Sequence, residues 1–225
     1  MLIRSWNVYH GRSHPAGRRG HLRAAIELTA ADGPDVVCLQ ELPLWSLARL
    51  ERWSSMRAFT ARTKRAPLGA HVGRAVTSTH YGVLRSAFTG QANAILVVGG
   101  LPAADLGGLV ISDRRHHPRV CHAVRVGERL VVANIHASGD VAQRQVDRAL
   151  AWLSSRVRDG EPVVLAGDFN SSLVLPGFSP PHGGIDDVLV RGAEASALYV
   201  WPVERRRHNG IVLSDHAPVE LTVRL

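Results

Sequence analysis

The chain has 225 residues, 45% of them hydrophobic, and two cysteines, Cys38 and Cys121. That composition excludes a disordered chain and a disulfide framework, and no CxxC zinc pattern is present. Lys plus Arg number 27 against 19 Asp plus Glu, a formal charge of +8 carried almost wholly by arginine, since Lys64 is the single lysine. Guanidinium forks match phosphate oxygens, which leaves nucleic acid, anionic lipid and soluble phosphoesters all open as partners.

Residues 2–8 read as a strand that carries Asn7. Residues 11–20 form a Gly/His/Arg-rich loop. Residues 21–31 have helical spacing, with Leu22, Ala25, Ile26 and Thr29 on one side, and Asp32-Gly33-Pro34 ends the helix. Residues 35–41 read as a strand that stops at Glu41. Residues 45–53 read as a short helix, 56–62 as a strand, and 67–89 as one or two helices. Residues 91–98 form a strand stopped by Gly99-Gly100. Residues 109–113, 119–126 and 130–136 read as consecutive antiparallel strands, with Gly127-Glu128 as a hairpin turn. Residues 141–157 are amphipathic, with Val146, Leu150, Leu153 and Val157 in one stripe. A strand follows from Pro162 and ends on Asp168-Phe169-Asn170. Residues 171–184 are a Pro/Gly/Ser loop. Strands over 185–190, 197–203, 210–216 and 217–224 complete the chain. Hairpins mixed with helical crossovers imply an α/β (α+β) architecture of two mixed sheets packed face to face with helices outside, as one domain over residues 1–225.

No apolar stretch is long enough to span a bilayer. The first residues enter a strand without a basic region and an apolar signal core, so a cytoplasmic location is expected. A monomer is expected as well.

Several buried-looking strands stop on an acid, an amide or an imidazole: Asn7, Glu41, His136, Asp168 with Asn170, and Asp215-His216. Polar groups at the ends of neighbouring apolar strands converge on one mouth. Gathering Glu41, Asp168, Asp186 and Asp215 in a partly buried site is costly unless a cation or shared protons offset the charge. Oxygen ligands with few histidines suit Mg²⁺ or Mn²⁺ rather than zinc. Asp168 and Asn170 are two apart, as are Asn134 and His136, so each pair shares a strand face. Asp215 and His216 are adjacent and cooperate only where the strand bends into a loop.

These pieces, in order, resemble the endonuclease/exonuclease/phosphatase superfamily, the fold of deoxyribonuclease I and the exonuclease III type of enzyme. The matching segments are Trp6-Asn7-Val8, Leu39-Gln40-Glu41, Gln91 through Leu96, Asn134-Ile135-His136, Gly167-Asp168-Phe169-Asn170, Gly184-Ile185-Asp186 and Ser214 through Val219. The resemblance implies a four-layer α/β/β/α sandwich with the site at one end. It implies a metal at Asn7 and Glu41, joined by Asp215. It implies that Asp168 activates water and that Asn170 holds the water or a phosphate oxygen. His216 paired with Asp186 would stabilise the phosphorane, and His136 would donate to the leaving oxygen or the phosphate. Phosphodiester hydrolysis gathers negative charge on the transferring group, and a metal with preorganised donors lowers that barrier.

Asn93 either lines the site or caps a strand, Asn134 is structural or catalytic, and Asp187 is expected to be solvated. Three basic clusters offer phosphate contacts: residues 12–23, 114–119 with Arg114, and 205–208 with Arg205. Such contacts give salt-sensitive, sequence-independent binding. The lysine that abasic-site endonucleases carry soon after the metal glutamate is absent, since Leu42-Pro43-Leu44-Trp45 follows Glu41. The expected activity is therefore a Mg²⁺- or Mn²⁺-dependent phosphodiester hydrolase, first of all a DNA endonuclease of low sequence specificity. Its rivals are a phosphodiesterase or phosphatase for small-molecule or phospholipid esters, and a non-catalytic nucleic-acid-binding domain. No GxSxG elbow or GxxxxGK[ST] loop points to other hydrolase classes.

Overall fold

The continuous Val/Ile/Leu/Ala runs fold as strands covered on both faces, and their polar ends gather on one rim. The computed structural model describes residues 1–67, 69–81, 83–84, 88–113 and 117–225. In chain order the strands are β1 (Leu2–Asn7), β2 (Ser13–His14), β3 (Val36–Leu42), β4 (Arg57–Lys64), β5 (Gln91–Val97), β6 (Ala103–Val110), β7 (Val120–Val126), β8 (Leu130–His136), β9 (Val163–Asp168), β10 (Asp186–Arg191), β11 (Glu194–Ala195), β12 (Tyr199–Val200), β13 (Arg207–His208), β14 (Ile211–Leu213) and β15 (Val219–Arg224). The helices are α1 (Leu22–Ala30), α2 (Leu50–Ser54), α3 (Ala70–Thr79) and α4 (Ala142–Ser154).

One sheet runs β11-β15-β1-β3-β5-β4, with β12 also on β15, and the other runs β10-β9-β8-β7-β6. Both are mixed: β1 and β3 are parallel, as are β8 and β9, and the remaining ladders are antiparallel. Ile3, Val36, Cys38 and Ile95 of the first sheet meet Val124, Val132, Val164 and Val188 of the second in a shared core. Each such side chain contributes roughly 1.5–3 kcal/mol on burial. Leu22, Ala25 and Ile26 of α1, with Leu50 of α2, cover the outer face of the first sheet. Val146, Ala149 and Leu153 of α4 cover the outer face of the second. The layers are therefore α/β/β/α. No helix among the described residues is long and apolar enough to cross a membrane.

Several boundaries differ from expectation. The strand expected at residues 109–113 lies earlier, at Ala103–Val110. It is an exposed edge strand bulged near Gly107, so its apolar alternation is weak. The segment 45–53 splits into a 3-10 helix, Leu44–Arg49, and α2. Only Tyr199–Val200 of the segment 197–203 pairs. A small third sheet, β13-β14-β2, was expected only for its middle strand.

Candidate active site

Strand register assembles the centre. Along the parallel β8–β9 ladder His136 lies beside Asp168, and along the antiparallel β9–β10 ladder Asp186 lies on its other side. Gly167 makes the close approach of β8 possible. Its φ is +149°, and a Cβ built there would stand 1.9 Å from the Ile135 carbonyl oxygen. Asp168 is buried at 1% exposure. Its Oδ2 accepts from Asn7 Nδ2 at 2.9 Å, and its Oδ1 accepts from the Asn170 backbone N–H at 2.9 Å.

The second half of the site comes from a bend. Ser214 adopts φ +58°, turning the exit of β14 so that Asp215 and His216 both reach the rim. The bend is held by Ser214 Oγ donating to Asn7 O at 2.7 Å, Trp6 Nε1 donating to His216 O at 3.0 Å, and Arg206 Nη1 donating to Ser214 O and His216 O at 2.9 Å each. His216 Nδ1 then meets Asp186 Oδ2 at 2.8 Å, and its Nε2 stands 3.8 Å from Asp168 Oδ2 and 4.0 Å from Asp215 Oδ1.

Glu41 also reaches the rim through a positive φ, +57°, at an irregularity of the β3–β5 ladder. Its carboxylate lies 3.4 Å from His10 Nε2 and 3.9 Å from His136 Nε2. His136 stands 3.5 Å from Asp168 Oδ2 and contacts Arg119 Nη1 at 2.6 Å through Nε2. Arg119 Nε also donates to Ser138 Oγ at 3.2 Å. Arg119, Ser138 and Asn170 line one open cavity of about 490 Å³.

The charge states follow from these neighbours. Burial and the adjacent Asp186 push the Asp168 carboxyl up to about 6, against the opposing pull of His216 and Asn7. Burial would lower His216, but the bond to Asp186 and the charges of Asp186, Asp168 and Asp215 lift it to about 9. Burial and Arg119 hold His136 well below the ordinary histidine range, so it is neutral. Burial raises Glu41, with Asp168 and Asp215 adding to the shift and Arg119 and His216 opposing it. Asp168, Asp186 and His216 place potential ligand atoms within 4.8 Å of one another and can hold a metal ion. A histidine protonated through neutral pH and bonded to Asp186 is a poor ligand, however. Glu41, a carboxylate whose charge is unfavourable beside other acids, fits a hard cation better.

The structure thus brings together Glu41, His136, Asp168, Asn170, Asp186, Asp215 and His216. Other expected residues do different work. Asn7 donates its amide to Asp168 and accepts the Tyr9 N–H on Oδ1 at 3.0 Å, so it orients Asp168 and keeps one Oδ1 lone pair for a cation. Asn134 is fully buried; its amide donates to Leu39 O and Ala94 O and its Oδ1 accepts from Gln40 Nε2, so it bridges the two sheets and reaches no phosphate. Asn93, also fully buried, donates to Val120 O at 3.1 Å and ties β5 to β7. Arg205 is committed to Glu220 and Asp32 and stacks on Trp201, away from the rim. Its neighbour Arg206 is the one that holds the bend at Ser214. Arg114 lies outside the described residues. Asp187 is not solvated: it is buried and accepts from the His182 and Val188 N–H groups.

Arg119, His10 and Arg206 were not singled out as site residues in the sequence. Arg119 carried a usable signal. Counting back from the Gly127-Glu128 hairpin along the β7–β8 register sets it level with the residue after His136. His10 had only its place three residues beyond Asn7.

Residues 5–216 match the model of the Endonuclease/Exonuclease/phosphatase family. The chain belongs to this family. The uncharacterised protein YbhP of Escherichia coli K12 is 32% identical over 125 residues, 44% of this chain and 48% of that protein, so the chain spans about half the length of the curated relatives it matches. A functionally unknown conserved protein from Enterococcus faecalis V583 superposes with a TM-score of 0.70 at 17% identity, covering 100% of this chain and 99% of its own. A mannosyl-6-phosphatase from Bacteroides thetaiotaomicron VPI-5482 does so with a TM-score of 0.64 at 14% identity and 100% coverage of both chains. These likenesses establish the fold.

Proposed function

We propose that this member of the family is a Mg²⁺- or Mn²⁺-dependent phosphodiesterase and that its substrate is DNA, cleaved with little sequence preference. The observation that carries the reading is the placement of Asp168 between His136 and the Asp186–His216 pair. One carboxylate with a raised pKa and one imidazole with a raised pKa, side by side, form a base and an acid at the same pH.

Asp168, ionised above about 6, takes the proton of the attacking water. Asn170, exposed at the lip and fixed by its Nδ2 bond to Ala137 O at 3.0 Å, orients that water or a phosphate oxygen. His216 stays protonated to about 9 and donates from Nε2 to the phosphoryl oxygen that gathers charge. Asp186 accepts the Nδ1 proton at 2.8 Å and fixes the orientation of the ring from the other side. Arg119 adds a fixed positive charge beside neutral His136, whose ring hydrogen-bonds the phosphate or the leaving oxygen. Glu41, with Asp215, is the seat for the divalent cation, which when bound supplies Lewis-acid charge neutralisation at the phosphoryl group. Removing one such group typically costs roughly 10²–10⁴-fold in rate.

Plasmid nicking by purified protein at low salt, with each metal and with EDTA, tests the reading. Turnover of a soluble ester without any nicking eliminates DNA as the substrate. A phosphatase or small-ester reading is favoured by the full-length superposition on the mannosyl-6-phosphatase. Release of inorganic phosphate from sugar phosphates distinguishes it.

A further inference from the structure

Two arginine-rich segments face each other across one groove outside the acid–imidazole cluster. Residues 13–21 and the β13–β14 hairpin wall a cavity of about 700 Å³. Arg18, Arg19 and Arg207 line it with His14, His21 and His208, and among the described residues no Asp or Glu does. Arginines elsewhere find carboxylates: Arg4 holds Glu220, Arg125 holds Glu161 and Arg148 holds Asp113. Arg18 and Arg19 are exposed and form no ion pair among the described residues, while Arg207 donates to the Gly210 carbonyl. Positive charge is crowded enough that burial, His208 and Arg19 together hold His21 below its ordinary range. A concave basic surface of this kind raises the local concentration of anions.

The groove is built onto the catalytic bend. Val212 pairs with His14 and Leu213 with Ser13, after which the chain turns at Ser214 into Asp215 and His216. The Ser214 N–H donates to Arg12 O at 3.0 Å, which closes the junction from the other wall. Val212 and Asp215 are three residues apart, at most roughly 10 Å of chain.

We propose that this groove is a second phosphate-binding site, which grips the sugar–phosphate backbone of a nucleic-acid strand a few nucleotides from the scissile bond. The inference rests on the phosphodiesterase reading and narrows it to polymeric over monomeric esters. Its contacts are ionic and independent of base sequence, so binding through it falls steeply with salt.

The test measures binding without cleavage. The probe is a fluorescein-labelled single-stranded oligodeoxynucleotide of about 12 nucleotides, followed by anisotropy in EDTA across a salt series. The R18A/R19A/R207A variant is expected to bind roughly tenfold or more weakly and to lose about two from the salt slope. The R129A/R158A/R224A variant, which removes the same charge from exposed positions outside the groove, is expected to bind like wild type. Thermal melting verifies that both variants fold. Equal binding by wild type and the groove variant overturns the site, as does equal weakening by both variants. Failure of wild type to bind overturns it too, including the case in which phosphatidylserine vesicles bind instead. Plasmid nicking is read separately, so absence of DNA cleavage with groove-dependent binding intact refutes the nuclease reading alone.

Discussion

His216 Nδ1 and Asp186 Oδ2, thirty residues apart in the chain, meet at 2.8 Å. Two structural devices make that contact: the antiparallel β9–β10 ladder, which brings Asp186 level with Asp168, and the positive φ of Ser214, which swings His216 inward.

This pair sets the pH dependence. In the proposed mechanism Asp168 acts when ionised and His216 when protonated, so kcat/KM should rise with pH through about 6 and fall through about 9. Asp186 raises both groups. Asp186→Asn should therefore move both limbs of the bell to lower pH, and a profile whose alkaline limb stays in place refutes the pairing as the source of the His216 shift.

Glu41 bears on metal binding and on stability. Its folded pKa is raised, so its stabilising contribution is present below the ordinary carboxylate range and is lost as pH rises. Without metal at neutral pH, Glu41→Gln should melt at or above wild type. Mn²⁺ at a hundred times its Kd stabilises a protein by about 2.7 kcal/mol, which should raise the melting temperature of wild type and much less that of Glu41→Gln. Equal shifts would place the cation elsewhere, with Asp168, Asp186 and His216 the next candidates.

Burial, with the charge of Arg119 beside it, holds His136 neutral. Arg119→Gln should raise the His136 pKa, read by NMR of the ring protons, and should lower turnover by roughly 10²-fold through loss of a preorganised donor. An unmoved His136 titration would mean that burial alone keeps the ring neutral.

Asn134 tests a structural role inside a family motif. Asn134→Ala removes the side-chain donor to Leu39 O and Ala94 O and the shortest of the three contacts of Gln40 Nε2. It should cost roughly 2–4 kcal/mol in denaturant unfolding while KM of the folded fraction stays unchanged. A raised KM at unchanged stability would return Asn134 to the substrate.

The layered fold and most of the site were readable because an apolar strand ending on a polar residue states both its burial and its exit. Depth was not readable. Asn134 and His136 share a face of β8, yet the residue two positions deeper lies under the first sheet and the other reaches the rim. Nor could pattern distinguish Arg205 from Arg206, since one residue of register sends one guanidinium to Glu220 and the other to the bend at Ser214. The basic run holding Arg119 read as one phosphate-contacting cluster, and only the hairpin register of β7 and β8 separates Arg119 from the rest of it.

The hydrogen that stands in place of a side chain at Gly167 acts as a caliper between β8 and β9. An added methyl at that point would wedge the two backbones apart and carry the imidazole of His136 out of reach of Asp168. A residue with no reactive atoms thus governs whether the neighbouring acid has company, and libraries that vary only the charged rim would never sample this control.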